Sequence, residues 1–404
     1  MLFEVKITFL LTQSLESPSG LGRYWPLSKE LVHLGHDVVI LALHHDFRTL
    51  AQRRFIKDGV KVHYVGQMHV RKVGSSKFYF SPTRLVWIAA LATCRLMRAA
   101  LQMPTDVYHL GKPQPMNGLA VLLARLVRSK PVYLDCDDYE AASNRFEGNW
   151  QKRVVAFFEE RLPMIAAGIT VNTRFTLERL KGSGYPAERI VYVPNGVDRY
   201  RFSGVSGATV EALRRQLGLV DRKVVLYVGS LSLASHPVDL LLEAFAVVQQ
   251  AEPRAILLLV GGGEDYGTLQ RQVEALGLSD RVRFVGRVPP DQVPFYYLLA
   301  DASVDPVRAD PAARARSPLK VVESLASGTP VVTSDVGDRS AQLARGGGLL
   351  VPPGDPAALA EALMTILRDR ALYTRLSAEA LAVRERYYWD ILVHDFVRIY
   401  DGTL

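Results

Sequence analysis

This 404-residue chain predicts two α/β domains, each built on a parallel sheet, and three observations carry that prediction. Short β-branched runs alternate with helical patterns from residue 4 to about 195, and a second alternating series begins at 223. Between them, 195–222 is rich in small polar residues and poor in apolar pattern, which marks a domain junction. Strand–helix alternation implies right-handed crossovers and sheets covered on both faces, so each half is doubly wound. With 49% apolar residues, both halves have enough to bury a core.

In the first half, strands are expected at 5–11, 37–43, 60–65, 106–110, 131–135, 168–171 and 189–193. Ligands in such sheets sit beyond the carboxyl ends of the strands, so the segments after each strand matter most. The first is Ser17-Pro18-Ser19-Gly20-Leu21-Gly22-Arg23, where two glycines allow close backbone approach and Arg23 lies within reach of a phosphate; a plain tight turn is the alternative. His109-Leu110-Gly111-Lys112 follows the fourth strand and Asp135-Cys136-Asp137-Asp138-Tyr139-Glu140 the fifth. The aspartates suit hydrogen bonding to substrate hydroxyls or helix capping. A divalent ion is not expected, because no neighbouring His or Glu spacing completes a ligand set.

Within 78–100, Arg84, Trp87, Leu91, Arg95 and Arg98 fall on one side of a helix, and Leu85, Ile88, Ala92 and Leu96 on the other. The second stripe reads as core. The first is the pattern of a helix resting on an anionic membrane surface, or equally of a solvated surface helix.

The second half places strands at 223–228, 255–260, 282–285, 302–305, 330–333 and 349–351, with helices near 236–250, 264–276, 291–299, 317–327, 337–344 and 356–369. Two more helices, 370–384 and 388–400, close the chain. Gly229-Ser230 and Gly261-Gly262-Gly263 follow strands. The most informative stretch is 305–335: Ser317 is expected to cap a helix, Pro318 to take its first position, and Leu319, Val321, Val322 and Leu325 to form an apolar stripe ending at Gly328. Unpaired N–H groups and the positive end of the helix dipole favour a phosphate there. Lys320 adds a full charge, and Glu323, one turn on, suits the diol of a ribose. A capped amphipathic helix is also the ordinary unit of any α/β domain.

Composition narrows the class. Cys94 and Cys136 are too few for a disulfide framework and are not spaced as metal ligands, which points to a reducing, cytoplasmic setting. Residues 1–11 alternate like a strand and carry Glu4 and Lys6, unlike a signal peptide, and no run reaches the roughly 18 to 20 apolar residues of a membrane span. The net charge of +8 permits phosphates, nucleic acid or anionic lipid as partners, but no nucleic-acid-binding signature accompanies it.

Six short strings occur in order: Gly20 to Arg23 with Gly35-His36-Asp37-Val38; Val193-Pro194-Asn195-Gly196-Val197-Asp198; Tyr227-Val228-Gly229; Phe284-Val285-Gly286; Glu323 to Val332; and Gly348 to Asp355. In these the chain resembles, end to end, a family 4 retaining glycosyltransferase of the two-Rossmann-domain (GT-B) fold. The resemblance implies an acceptor-binding domain over 1–198, a nucleotide-sugar domain over 199–385, a central cleft, and a last helix around Trp389, within 386–404, that crosses back to the first domain. It implies that Glu323 holds the ribose, that Ser317, Leu319 and Lys320 meet the diphosphate with Gly229 and Ser230, and that Gly286 and Arg287 border the base. Gly22 and Arg23 approach the diphosphate from the first domain. His109, Asp138 and Lys320 take catalytic roles, with Lys112, Asp137 and Asp138 on the acceptor side; no metal or other cofactor is expected.

Three positions depart from the family pattern: Ala315 replaces a Glu, Ser230 an Arg and His236 a Lys. Arg308, Arg314, Arg316 and Lys320 are the candidate replacements for the lost positive charge. Two other readings fit the same fold: a nucleotide-sugar 2-epimerase, and a nucleotide-sugar-binding protein without turnover. The acceptor is expected to be a hydroxyl, with a lipid-linked saccharide among the candidates.

Overall fold

The computed structural model describes residues 4–73, 76–143, 146 and 148–400. They fall into two compact units: the first runs to Pro194 and is completed from Leu392 onward, and the second is Asn195–Ile391.

The first unit holds β1 (Lys6–Leu11), β2 (Asp37–His44), β3 (Arg54–Lys57), β4 (Val60–Gln67), β5 (Val70–Val73), β6 (Ser76–Tyr79), β7 (Val107–Gly111), β8 (Val132–Cys136), β9 (Gly168–Val171) and β10 (Ile190–Tyr192). Eight of them form one sheet in the order β10-β9-β8-β7-β1-β2-β4-β3, parallel except for β3. The order reverses between β1 and β7, so the segments after these two strands border the position where such sheets bind ligands. Two features went unforeseen. β3 pairs antiparallel with β4 across Asp58-Gly59, whose φ values of 50° and 77° make a two-residue hairpin turn, and β5 and β6 form a separate small hairpin.

Helices cover both faces. Ala92, Leu96 and Ala100 of the helix Pro82–Gln102 pack with Ala120, Val121 and Ala124 of Pro115–Val127 against Leu41, Leu110 and Leu134 of the sheet. Of the expected core stripe, Leu85 and Ile88 are only half-buried. By length and composition Pro82–Gln102 is apolar enough to cross a membrane, which corrects the expectation of no such run; the stretch 85–102 carries only two charges, Arg95 and Arg98.

The second unit carries β11 (Lys223–Val228), β12 (Ala255–Val260), β13 (Val282–Gly286), β14 (Ala302–Asp305), β15 (Val331–Ser334) and β16 (Gly348–Val351) in an all-parallel sheet ordered β13-β12-β11-β14-β15-β16. Every residue of β12 is buried, as expected for a central strand covered on both sides. The reversal falls between β11 and β14. Gly229, Gly261, Gly286 and Asp305 therefore all leave, or end, strands at one edge.

Candidate functional site

At that edge the backbone is tightly nested. A Cβ on Gly261 would collide with the Gly229 carbonyl oxygen, and one on Gly263 with that of Leu231, so both loops need glycine to pass. Gly229 itself faces two side chains: a Cβ there would lie 2.9 Å from the Tyr227 hydroxyl and 3.2 Å from Lys320 Cε. Tyr227 is fixed by donating to the Ser230 carbonyl at 2.7 Å. Gly286, at φ 83°, accepts from the Gly261 N–H through its carbonyl and leads to the exposed Arg287.

Lys320 stands on the first turn of the helix Leu319–Ser327. Its Nζ lies 3.3 Å from Asp305 Oδ1 and 5.4 Å from the centre of the Tyr227 ring. Asp305 Oδ2 accepts from Arg339 Nε at 2.7 Å and from the Thr333 hydroxyl at 3.1 Å. Burial alone would raise the Asp305 pKa, but Arg339 and Lys320 outweigh it and hold the carboxyl well below the usual range. Burial lowers Lys320, with Arg316 and Arg339 pushing the same way against Asp305. One buried carboxylate thus faces the cations of Lys320 and Arg339, with Arg316 near enough to Lys320 to act on it. His236 adds no charge, since burial and the cations beside it hold its imidazole neutral. This surplus positive charge lies at the head of a helix.

Three expectations are corrected here. Ser317 does not cap the helix. Its hydroxyl accepts from the Asn195 N–H at 3.1 Å and its carbonyl from the Asn195 side-chain amide at 2.9 Å. The proline that follows drives Ser317 away from helical backbone, and Pro318 itself is extended, so the helix starts at Leu319, partly buried against Val197 and Val322. Arg308 is not available to a diphosphate, because both its terminal nitrogens bind Asp239, at 3.1 and 2.8 Å. Ala315, where the family pattern has a Glu, is completely buried. Arg316 keeps a place in the cluster, donating to the Ser235 carbonyl at 2.7 Å; Arg314 is exposed. Arg339 was missed: nothing in its local sequence shows that the fold carries it under Asp305.

Glu323 lies one turn beyond Lys320, with its side chain 12% exposed. Arg201 approaches Oε1 at 3.3 Å and the Tyr297 hydroxyl donates to Oε2 at 3.4 Å, both long contacts. Burial raises its pKa despite these partners. A buried carboxylate with long hydrogen bonds retains acceptor capacity for a pair of hydroxyls.

In the first unit, the residues after β7 and β8 converge on Lys112. Its Nζ lies 3.2 Å from Asp137, 2.8 Å from Asp138 and 2.8 Å from Glu140. Lys112 has a left-handed backbone, φ 71°, held by Asn117, whose amide donates to the carbonyls of Leu10, Gly111 and Lys112. Gln114 donates to Glu140 and accepts from Thr12 after β1. Three carboxylates around one ammonium leave excess negative charge, and burial raises Asp137 so that it takes up a proton more readily than an ordinary Asp. Asp138, the half-exposed member, is the one a substrate can reach.

Two first-unit expectations fail. His109 lies inside β7, completely buried, with Phe9, Tyr133 and Phe396 around its ring and Nδ1 2.9 Å from the Tyr400 hydroxyl. It is a core residue, and burial pushes its pKa down to about 4. Arg23 is also core: Nε and Nη2 grip the two oxygens of Asp135 at 2.7 and 2.6 Å, and Nη1 donates to the Val193 carbonyl. That pairing removes both Arg23 and Asp135 from substrate contact. Gly22 is buried in the turn Gly20–Tyr24 after β1, where a Cβ on Gly20 would strike the Ser14 carbonyl.

Two clusters among the described residues have metal-ligand composition. Asp137, Asp138 and Glu140 do bring a Glu to the aspartates, contrary to the spacing argument, but the Lys112 ammonium already occupies the centre that a cation would take. In the second, Glu16 lies 3.6 Å from Nε2 of both His44 and His45. His44 Nδ1 accepts from the Asp46 N–H at 3.0 Å, so the ring proton sits on Nε2, pointing at Glu16 instead of leaving a lone pair for a metal.

Comparison with known proteins gives the family. The glycosyl transferase 4-like domain family matches residues 19–196, and the glycosyl transferases group 1 family matches 209–382. The chain belongs to the family 4-type glycosyltransferases. This glycosyltransferase is 31% identical to a mannosylfructose-phosphate synthase of Agrobacterium fabrum over 54% of its own length and 49% of the relative's. It is 34% identical to a D-inositol 3-phosphate glycosyltransferase of Xylanimonas cellulosilytica over 59% and 57%. For a phosphatidyl-myo-inositol mannosyltransferase of Mycobacterium leprae the figures are 33%, 52% and 53%. The matched regions thus cover about half the length of these curated relatives. Among solved structures, a sucrose-phosphate synthase of Thermosynechococcus elongatus superimposes with TM-score 0.79 at 20% identity, covering 98% of this chain and 99% of that one. The HepE protein of Anabaena, solved with UDP and glucose, gives 0.74 at 20% identity, covering 99% and 100%. Both likenesses establish the GT-B fold of the glycosyltransferase.

Proposed function

We propose that this glycosyltransferase moves a sugar from a nucleoside diphosphate donor to an acceptor hydroxyl, with retention at the anomeric carbon. The observation that carries the proposal is the buried surplus of positive charge at the head of the Leu319 helix, one turn before the buried carboxylate of Glu323. As the glycosidic bond breaks, positive charge grows on the sugar ring and negative charge on the departing diphosphate. Lys320, Arg316 and the helix N–H groups stabilise the latter, while Arg339 neutralises Asp305 beneath them. The acceptor attacks from the leaving-group side and its proton passes to the diphosphate oxygen, so no protein base is required, in keeping with the burial of His109. Asp138, half-exposed beside Lys112, orients the acceptor hydroxyl. Protein cations perform the charge neutralisation that a divalent ion would otherwise supply, and the reaction is metal-independent. The HepE complex with UDP and the inositol-directed relatives favour a UDP-type donor and a polyol or lipid-linked acceptor. Free Cys94 and Cys136 suit a cytoplasmic site of action.

A thermal-shift screen of UDP, GDP and ADP with their sugars tests this, since a ligand that binds only the folded state stabilises it by an amount that grows with the logarithm of its concentration over Kd. One nucleoside diphosphate series raises the melting temperature, with or without chelator, and Lys320→Met and Glu323→Gln abolish the shift. No shift with any diphosphate, or conversion of the donor sugar to its epimer without acceptor, overturns the proposal.

A further inference from the structure

The helices Pro82–Gln102, Pro115–Val127 and Asn149–Arg161 line one face of the first unit's sheet, and their inner sides share one core with it. Their outer sides are unusually apolar. Leu119, Leu123 and Leu126 recur at helical spacing and are all exposed, Leu126 by 83%. Trp150, Val154 and Phe157 repeat the pattern on the third helix, and Trp87 on the first is 69% exposed. Of the four tryptophans, Trp389 is buried and Trp25 partly so; the two exposed ones both lie on this face.

The charge of the chain is concentrated in the stretch of sequence that contains the first two of these helices, on which Arg84, Arg95, Arg98 and Arg125 are exposed. Residues 59–134 hold eleven Lys and Arg against one acidic residue, Asp106, a net of +10, while the whole chain carries +8, leaving −2 for the rest. The helices Pro82–Gln102 and Pro115–Val127 contain no acidic residue at all. On Asn149–Arg161, Glu159 is buried and binds the N–H groups of Glu140 and Ala141, leaving Glu160 exposed among Lys152, Arg153 and Arg161.

We infer that this three-helix face docks on the surface of an anionic lipid bilayer, with Trp87 and Trp150 at headgroup depth. Protruding apolar side chains between guanidinium groups match a fluid, negatively charged interface. A second copy of the chain fits poorly, because a two-fold contact would press two faces of the same positive sign together. The helix Pro82–Gln102 lies on the bilayer and does not cross it, because Ala92, Leu96 and Ala100 are committed to the sheet. The inference goes beyond the transferase proposal and does not depend on it.

The intact protein is sedimented with vesicles of phosphatidylcholine alone or mixed equally with phosphatidylglycerol. At about 0.1 M salt, binding to the mixed vesicles exceeds binding to the neutral ones by about tenfold or more, and it weakens at about 0.5 M as screening shortens the reach of the charges. Tryptophan emission is quenched by headgroup-proximal spin-labelled lipid, and the combined Trp87→Phe and Trp150→Phe variant loses that quenching. The triple variant Arg84→Glu, Arg98→Glu, Arg125→Glu and the pair Leu123→Glu, Phe157→Glu each lose most binding while keeping the nucleotide-dependent thermal shift. Equal affinity for the two vesicle types, unquenched tryptophans, or self-association that shields Trp87 and Trp150 without lipid overturns the inference. The nucleotide shift reports separately on the transferase proposal.

Discussion

At the residue scale, two buried polar groups set the chemistry of the first unit without entering it. Arg23 and Asp135 form a desolvated bidentate pair, so breaking it strands a charge. Arg23→Met should cost about 3–5 kcal/mol of stability in urea unfolding. If Arg23 instead read a phosphate, the variant would lose nucleotide affinity at little cost in stability. His109 has a distinct acid signature. Because its folded-state pKa is pushed down to about 4, below the usual 6.5, the unfolded chain binds the extra proton between these values. Its contribution is fully present above pH 6.5 and is lost as pH falls toward 4, by roughly 3 kcal/mol at most. His109→Phe, which suits the aromatic surroundings, should flatten the stability profile across that window relative to the native chain.

At the element scale, the Leu319 helix shows how local grammar and packing divide the work. Its apolar stripe is where the spacing put it, and Gly328 closes it in left-handed conformation, φ 71°, with Leu381 so near that a Cβ would lie 2.9 Å away. Gly328→Ala should cost about 1–3 kcal/mol, from the unfavourable φ and the displaced Leu381, measured by urea unfolding of the full chain. The helix starts one residue later than its Ser317-Pro318 signal implies, and Ser317 binds Asn195 instead of capping it. The β3–β4 hairpin is legible in principle: Asp58-Gly59 between two β-rich runs is a strong turn signal, masked by the strand–helix alternation of the sequence around it.

At the scale of the whole molecule, the chain leaves the first unit at Pro194 and returns at Leu392, so that unit is completed by the last segment of the sequence. Leu392, Val393, Phe396, Ile399 and Tyr400 are all buried. Removing them forfeits roughly 7–15 kcal/mol of apolar burial, comparable with the whole stability of a domain. A chain ending at Ile391 should therefore lose the cooperative unfolding of the first unit in calorimetry. The second unit, with its own sheet and cores, should retain the nucleotide-dependent shift.

The sequence by itself determined the α/β class, the six strands of the second sheet and the helix that carries Lys320 and Glu323. These rest on hydrophobic periodicity and on glycine and proline punctuation, which act over a few residues. Only the tertiary structure decided which polar groups face a ligand. His109, Arg23 and Arg308 look as functional in sequence as Lys320, yet the first two are core and the third is spent on Asp239. Arg339 looks like nothing in particular and completes the charge cluster through Asp305, 34 residues away in the chain. A side chain's availability depends on partners brought together by sheet order and register, and the energy that assigns those partners is non-local.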